Sequence, residues 1–339
     1  MNIGNVKIGK GEKIAIQSMC NTDTRDVKST VAQILELEAE GAHIIRVAVP
    51  DMEAAAAISE IKKQIHIPLV CDIHFDYRLA IESAKNGADK IRINPGNIGG
   101  EDRVKAVVDI CRERNLPIRI GVNSGSLPKE FEKPSVEAFI AAAKIHIDLL
   151  NKYDYDNICI SLKSSDTKLT VDSYRAFAKL HDYPLHLGIT EAGTTYQGII
   201  KSSVGIGALL LDGIGDTIRV SLTANPVEEV RAAKGILKAC GLMKDGVEIV
   251  SCPTCGRTKI DLIGIAAKVE NALKDIKKPL KVAVMGCVVN GPGEAKEADY
   301  GLAGGDGVGI IFKKGEIVKK VAESELVSEL VSMITKEDI

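Results

Sequence analysis

No stretch of the 339-residue chain approaches the roughly 18 unbroken apolar residues of a membrane span, and the opening segment MNIGNVKIGKGEKIAIQS has no apolar core of secretory length. These absences set the expectation of a cytoplasmic protein with no membrane partner. Charge of one sign is missing too: 44 Lys and Arg stand against 46 Asp and Glu, a formal net charge of -2. That balance argues against a general binder of nucleic acid or of membrane surfaces, so any positive field has to be local. No GxGxxG follows the first strand-like run, which counts against a doubly wound open sheet, the runner-up architecture. From position 241 onward there is no histidine, and the CxxC at Cys252 and Cys255 has no second copy.

What is present is an ordinary core composition, 45% apolar and 27% charged. Eight cysteines in a reducing compartment are poor disulfide candidates, and Cys71 in LVCDIH and Cys159 in ICISL read as small core residues. Over the first 240 residues, β-branched runs at 13–19, 43–49, 68–74, 90–94, 117–123, 157–163, 184–190 and 217–222 alternate with helical segments of three-and-four apolar spacing. Eight nearly continuous apolar strands alternating with eight helices predict a TIM (β/α)8 barrel. An early hairpin over residues 5–16 would precede or plug its floor. A turn-rich link, GLMKDG, then leads to a small α+β domain. Its expected parts are a helix over 260–275, a strand over 281–289, a glycine-rich loop, a hairpin over 308–320 and a final helix over 323–333. The expected domains are 1–240 and 241–339.

Barrel active sites lie where strands hand over to helices. Here those ends carry Arg46, Arg92, Arg119, Lys163 and Arg219, with His74, Asn123, Ser221 and Glu191. One arginine at a strand end has a plain explanation as the partner of a nearby carboxylate. Five cations converging on one mouth call for several negative charges, which a diphosphate or multiply phosphorylated small molecule would supply. Asp72, His74 and Asp76, spaced by two, could bind a divalent ion, although a hydrogen-bonded strand end with His74 facing a phosphate is preferred. The glycines of VGIGALLLDGIGD could cradle a phosphate or simply make a turn. Glu191 is a candidate general acid or base, or else an ion-pair partner of Arg219 or Lys163.

In the second domain Cys252, Cys255 and Cys287 make three thiolates. Structural zinc wants four ligands, and Cys240 is the one remaining nearby donor, at the end of a barrel helix. An iron-sulfur cluster tolerates a non-cysteine ligand, and three thiolates leave one iron open for chemistry. The GPG turn after Cys287 could swing Glu294 back towards the metal; otherwise Glu294 is an exposed turn carboxylate.

The segments SCPTCGR and MGCVVNGPGEA, with QSM, DIHFD, IRINPGN, RIGVNSGSL, SLKSSD, TEAG and DTIRVSLT, resemble the 4-hydroxy-3-methylbut-2-enyl diphosphate synthase family of the non-mevalonate isoprenoid pathway, in its bacterial two-domain form. The resemblance covers nearly the whole chain. It implies a 4Fe-4S cluster held by Cys252, Cys255, Cys287 and Glu294. It also implies a substrate, 2-C-methyl-D-erythritol 2,4-cyclodiphosphate, with its diphosphate held by Arg46, Arg92, Arg119, Lys163 and Arg219, helped by His74, Asn123 and Ser221. Glu191 and Asn290 would lie near the carbon skeleton. The reaction implied is a two-electron reductive ring opening with loss of water, driven by ferredoxin or flavodoxin, with Glu294 leaving the iron as substrate arrives and Glu191 supplying a proton. Because the last barrel helix ends near Cys240 on the floor side, the short link spans about 25 Å at most. A head-to-tail homodimer is therefore expected, each cluster closing the partner's barrel. The rivals are a non-redox barrel lyase or pterin-type transferase with a structural zinc module, and a non-enzymatic iron-sulfur sensor.

Overall fold

A computed structural model of the chain describes residues 1–127, 131, 133–287 and 295–338. It falls into two compact units, Met1–Met243 and Lys244–Ile339.

The first unit is built on eight parallel strands: β3 (Ala15–Met19), β4 (Ile44–Ala48), β5 (Leu69–Asp72), β6 (Lys90–Ile93), β7 (Ile118–Asn123), β8 (Ile158–Lys163), β9 (His186–Leu187) and β10 (Thr217–Ile218). They pair in the order β8-β7-β6-β5-β4-β3-β10-β9. A parallel bridge between Ile160 and Leu185, with Ile160 N–H donating to Pro184 O at 2.9 Å, joins the two ends. The sheet is thus a barrel, and the open doubly wound alternative is excluded. Outward residues such as Ile45, Val47, Leu69, Ile91, Ile118, Ile120, Ile158 and Ile160 are fully buried beneath the surrounding helices, which is why these strands read as continuous apolar runs.

The helices are α1 (Val27–Glu40), α2 (Met52–Lys62), α3 (Tyr77–Lys85), α4 (Pro95–Ile98), α5 (Glu101–Glu113), α6 (Val136–Asn151), α7 (Thr167–Leu180), α8 (Thr195–Leu211) and α9 (Pro226–Ala239). Several start on a short polar cap: Asp26, Asp51, Asp76, Asn94, Ser135, Asp166 and Asn225 each accept a backbone N–H of the first turn. Many strand-end carboxylates are therefore committed to structure. The VGIGALLLD segment does not form a phosphate cradle, because it lies within α8. Gly205 is there for packing, since a Cβ at that position would stand 2.5 Å from Ile189 Cδ1.

The early hairpin is shorter and earlier than expected, pairing β1 (Asn2–Ile3) with β2 (Val6–Lys7). Gly4, at φ 54°, makes the tight turn and draws the pairing forward, which releases residues 15–19 to the barrel. Ile3 and Ile8 pack on Ala15, Ile44 and Val70 and plug the barrel floor.

The second unit is a five-stranded sheet ordered β11 (Val247–Ser251), β12 (Leu280–Met285), β13 (Tyr300–Gly304), β14 (Val308–Lys313) and β15 (Glu316–Ala322). The first three strands are parallel and the last three antiparallel. Strand β13 occupies sequence expected to be glycine-rich loop. Its glycines admit neighbours rather than make turns: a Cβ on Gly301 would meet Phe312 at 2.2 Å. Helix α10 (Leu262–Leu273) and the C-terminal helix Leu326–Asp338 bury Val269, Leu330 and Ile334 against Val282, Val284 and Ile311.

Candidate active site

Side chains alternate along each barrel strand, so residues two apart share the inner face. That period places Lys90 and Arg92 inside from β6, Arg119, Gly121 and Asn123 from β7, and Cys159, Ser161 and Lys163 from β8. All five predicted cations, together with His74, Asn123 and Ser221, line one cavity of about 170 Å³ at the C-terminal ends of the strands. Asp72, Ser161 and Thr190 complete its wall.

Room for the long cationic side chains comes from missing ones. A Cβ on Gly121 would lie 2.7 Å from Arg92 Nε, and one on Gly188 would lie 2.7 Å from Lys163 Nζ. Neither glycine has a positive φ, so both are there for space.

The cavity is strongly cationic. Arg92 Nη1 donates to Asp72 Oδ1 at 2.9 Å, Arg46 Nε stands 3.7 Å from Asp72 Oδ2, and Arg219 Nη2 stands 3.6 Å from Glu229 Oε2. Arg46 also points Nε and Nη2 at Met19 Sδ, at 3.0 and 2.8 Å, a soft acceptor that leaves its charge uncancelled. Among the described residues five cations stand against two carboxylates, which leaves three of them without a carboxylate of their own. Burial first, and then the neighbouring arginines, hold Lys163 well below its usual range, while burial and Arg92 bring Arg119 down to about 10. Arg46 is likewise well below its usual range, because burial and the surrounding arginines outweigh Asp72. Burial alone would raise Asp72, but Arg46, Arg92, Arg119 and His74 together hold it well below the carboxylate range. Arg119 Nε and Nη1 and Arg92 Nε are buried with no hydrogen-bond partner among the described residues. Orphaned donors at the foot of a cationic cavity are what an oxyanion site looks like when no anion is present.

The divalent-ion reading of Asp72, His74 and Asp76 fails. Asp72 is taken up by arginines, and Asp76 caps α3 while pairing with Arg78 at 2.7 Å. Glu191 lies one residue beyond Thr190, exposed, with a left-handed backbone at φ 51°, and it is not part of the cavity wall. The alternative role considered for it, as an ion-pair partner of Arg219 or Lys163, is filled at Arg219 by Glu229.

Sequence reading missed four residues. Glu229 is buried in the first turn of α9. Lys90, His186 and Gln17 lie below the cavity layer, where Lys90 Nζ, His186 Nε2 and both Gln17 amide atoms have no partner among the described residues. Period-two spacing from Arg92 to Lys90 was the available signal. Nothing in the sequence marks Glu229, because its contact depends on how α9 docks.

In the second unit, parallel register aligns Ser251 with Val284, so Cys252 and the Gly286–Cys287 pair leave adjacent strands at the same end. Gly286 N–H donates to Cys252 Sγ at 3.2 Å. Cys255 N–H donates to Thr258 Oγ1 at 3.2 Å, and hydrogen bonds from Arg257, backbone and side chain, hold the exposed Cys255 thiol below its usual range. The donor set is soft, and an N–H···S bond already supports Cys252, which fits an iron-sulfur group. Among the described residues no three His, Cys, Asp or Glu side chains converge to hold a single metal ion. Cys240 Sγ lies against Gly207 O at 3.9 Å within the barrel unit. Asn290 and Glu294 lie outside the described residues. No described helix is long and apolar enough to cross a membrane.

Comparison with known proteins matches both units. A family model described as GcpE TIM-barrel domain covers residues 1–234, and one described as GcpE protein C-terminal domain covers residues 248–336. The chain is 61% identical to 4-hydroxy-3-methylbut-2-en-1-yl diphosphate synthase (flavodoxin) of Caldanaerobacter subterraneus subsp. tengcongensis, over 99% of this chain and 96% of that protein. It is 58% identical to the protein of the same name from Fusobacterium nucleatum subsp. nucleatum, with the same coverage. Among solved structures, dihydropteroate synthase from Stenotrophomonas maltophilia shares 15% identity at a TM-score of 0.52, over 67% of this chain and 91% of that chain. The Yersinia pestis dihydropteroate synthase shares 13% at 0.51, over 68% and 94%. Those two likenesses are of the barrel fold alone and lend the pterin-transferase reading no chemistry. With a family model on each unit and relatives more than half identical from end to end, the chain belongs to the GcpE family of 4-hydroxy-3-methylbut-2-en-1-yl diphosphate synthases.

Proposed function

We propose that this cytoplasmic chain is an oxidoreductase that takes 2-C-methyl-D-erythritol 2,4-cyclodiphosphate to 4-hydroxy-3-methylbut-2-enyl diphosphate by two-electron ring opening with loss of water. The observation that carries this reading is the convergence of five cations on one cavity that supplies two carboxylates among the described residues, the chemistry a diphosphate satisfies. Arg46, Arg92, Arg119, Lys163 and Arg219 would grip the diphosphate, and His74, Asn123 and Ser221 would fix its orientation.

Cys252, Cys255 and Cys287 would hold a 4Fe-4S cluster, with Glu294 as the replaceable fourth ligand. When bound, such a cluster supplies electrons one at a time to an oxygenated substrate. Relatives named as flavodoxin-dependent favour flavodoxin over ferredoxin as the donor here. Glu191, exposed just past the cavity wall with a left-handed backbone, would deliver a proton to the departing oxygen, and Asn290 would stand near the carbon skeleton.

Only the short segment 240–246 separates α9 from β11, a reach of about 25 Å when extended. That reach supports a head-to-tail homodimer as the working unit, each cluster serving the partner's barrel. Mixing an inactive Arg119→Met chain with an inactive Cys287→Ser chain should then restore about a quarter of wild-type turnover, and no recovery would count against shared sites.

The reaction is tested by supplying the cyclodiphosphate with reduced flavodoxin to anaerobically purified protein and following product. Glu191→Gln should leave the visible spectrum and iron content unchanged while turnover collapses by about 100-fold or more. Unaltered turnover removes Glu191 from the chemistry.

A further inference from the structure

We propose that Glu229 is a positioning residue for this cavity: one carboxylate, buried in the first turn of α9, sets where both Arg219 and Ser221 stand. The proposal rests on the diphosphate reading of the cavity and assigns the part of the fold that aims two of its ligands.

The two carboxylate oxygens do different things. Glu229 Oε1 accepts the Leu222 N–H at 3.0 Å, which pins the main chain one residue beyond Ser221. Glu229 Oε2 faces Arg219 Nη2 at 3.6 Å and, among the described residues, neither it nor Arg219 Nε has a hydrogen-bond partner. At that separation the guanidinium is attracted rather than clamped. Its donors stay free for phosphate oxygens while its direction is set by the charge behind it. A fold that needed only the Leu222 bond could use a neutral amide at this position. Instead the chain buries an ionisable group to 5% exposure and turns its second oxygen on a cavity cation. Misplacing a phosphate ligand by about 1 Å can cost 100-fold in rate, so a carboxylate that fixes two ligands at once bears directly on turnover. Arg219 and, more remotely, Arg46 are the charged groups that face it.

Glu229→Gln separates the roles, because the amide oxygen can still accept from Leu222 N–H while the charge behind Arg219 is lost. The test uses the full chain with its cluster and reads four quantities: kcat, KM for the cyclodiphosphate, the acid limb of the kcat–pH profile, and affinity for sulfate as a non-titrating probe of the cavity. Burial raises the Glu229 carboxyl above its ordinary value. Acid therefore removes its charge earlier than it would for an exposed glutamate, and the wild type should lose kcat on that limb. We expect Glu229→Gln to lower kcat about 100-fold, with KM, sulfate affinity, iron content and Tm near wild type and the acid limb displaced or absent. If the Gln variant does not fold, Glu229→Asp keeps the charge but withdraws it by one methylene, and the same fall in kcat at unchanged Tm is expected. Wild-type kcat with an unmoved pH profile would overturn the proposal. So would parallel losses of Tm, iron and kcat in both variants, which would make Glu229 merely structural. Failure of sulfate to bind the wild type would remove the oxyanion reading of the cavity and this proposal with it.

Discussion

Replacing Lys90 by methionine should make the protein more stable, and only over a definable range of pH. Lys90 projects into the barrel from β6, fully buried, with its ammonium unpartnered among the described residues. Burial, together with Arg119 and Arg46, pulls its pKa down to about 8 against the partial opposition of Cys159. In the unfolded chain the same group titrates near 10.4, so the shift of roughly two units, at 1.36 kcal/mol each, amounts to about 3 kcal/mol. The sign follows from proton counting. Between about pH 8 and 10.4 the unfolded chain holds a proton that the folded chain has released, so stability rises with pH across that window. Below about pH 8 the penalty is present in full; above about 10.4 it is gone. Methionine keeps the unbranched shape and removes the charge, at a repacking cost of about 1 kcal/mol. Lys90→Met should therefore be about 2 kcal/mol more stable near neutral pH, with the advantage disappearing in strong alkali. The chain has no tryptophan, so urea unfolding is best followed by circular dichroism. A variant less stable than wild type at neutral pH, or a difference that does not shrink as pH rises, would refute the reasoning.

Other perturbations follow from the same geometry. Gly121→Ala places a methyl 2.7 Å from Arg92 Nε and should weaken sulfate binding about tenfold or more, read by calorimetry, with little change in Tm. Asp72→Asn removes a carboxylate held well below its usual range; the stability that group contributes is present above the ordinary carboxylate pKa and is lost as pH falls. The variant should lose about 3 kcal/mol at neutral pH, seen as a lower urea midpoint that added sulfate partly restores. Cys252→Ser should lower bound iron and sulfide and bleach anaerobically purified protein, whereas Cys240→Ser should leave iron content unchanged, since Cys240 packs against α8.

Much of the barrel was legible because strand chemistry is doubly encoded. Ile91, Ile93, Ile118 and Ile120 face helices, and Arg92 and Arg119 sit between them on the opposite face, so one segment announced both a strand and a cation site. The cations that line the cavity were legible for that reason. What escaped depended on register and docking. Glu229 meets Arg219 only through the way α9 docks on the barrel beside β3, and Lys90 and His186 became conspicuous only once their depth below the cavity was fixed. The carboxylates near strand ends were ambiguous: Asp76 allowed a metal-ligand reading beside the preferred hydrogen-bonded one because a helix cap and a ligand share the same residue type. Strands β9 and β10 shrank to two residues each, since Gly188 and the cations beside it leave little regular pairing at that seam. Strand β13 was hidden by glycines that read as loop and are instead spaces for Phe312 and Ile260.

The floor plug has a consequence for traffic. With Ile3 and Ile8 packed against Ala15, Ile44 and Val70, the described residues close the barrel floor, and the cavity lies at the other end of the strands. Whatever enters must leave by the same mouth, against the pull of unmatched cations. Under the proposed chemistry substrate and product both carry a diphosphate, so both compete for that opening. Release, rather than bond breaking, then becomes the natural point at which salt and added anions control the rate, and raising ionic strength should speed departure while slowing arrival.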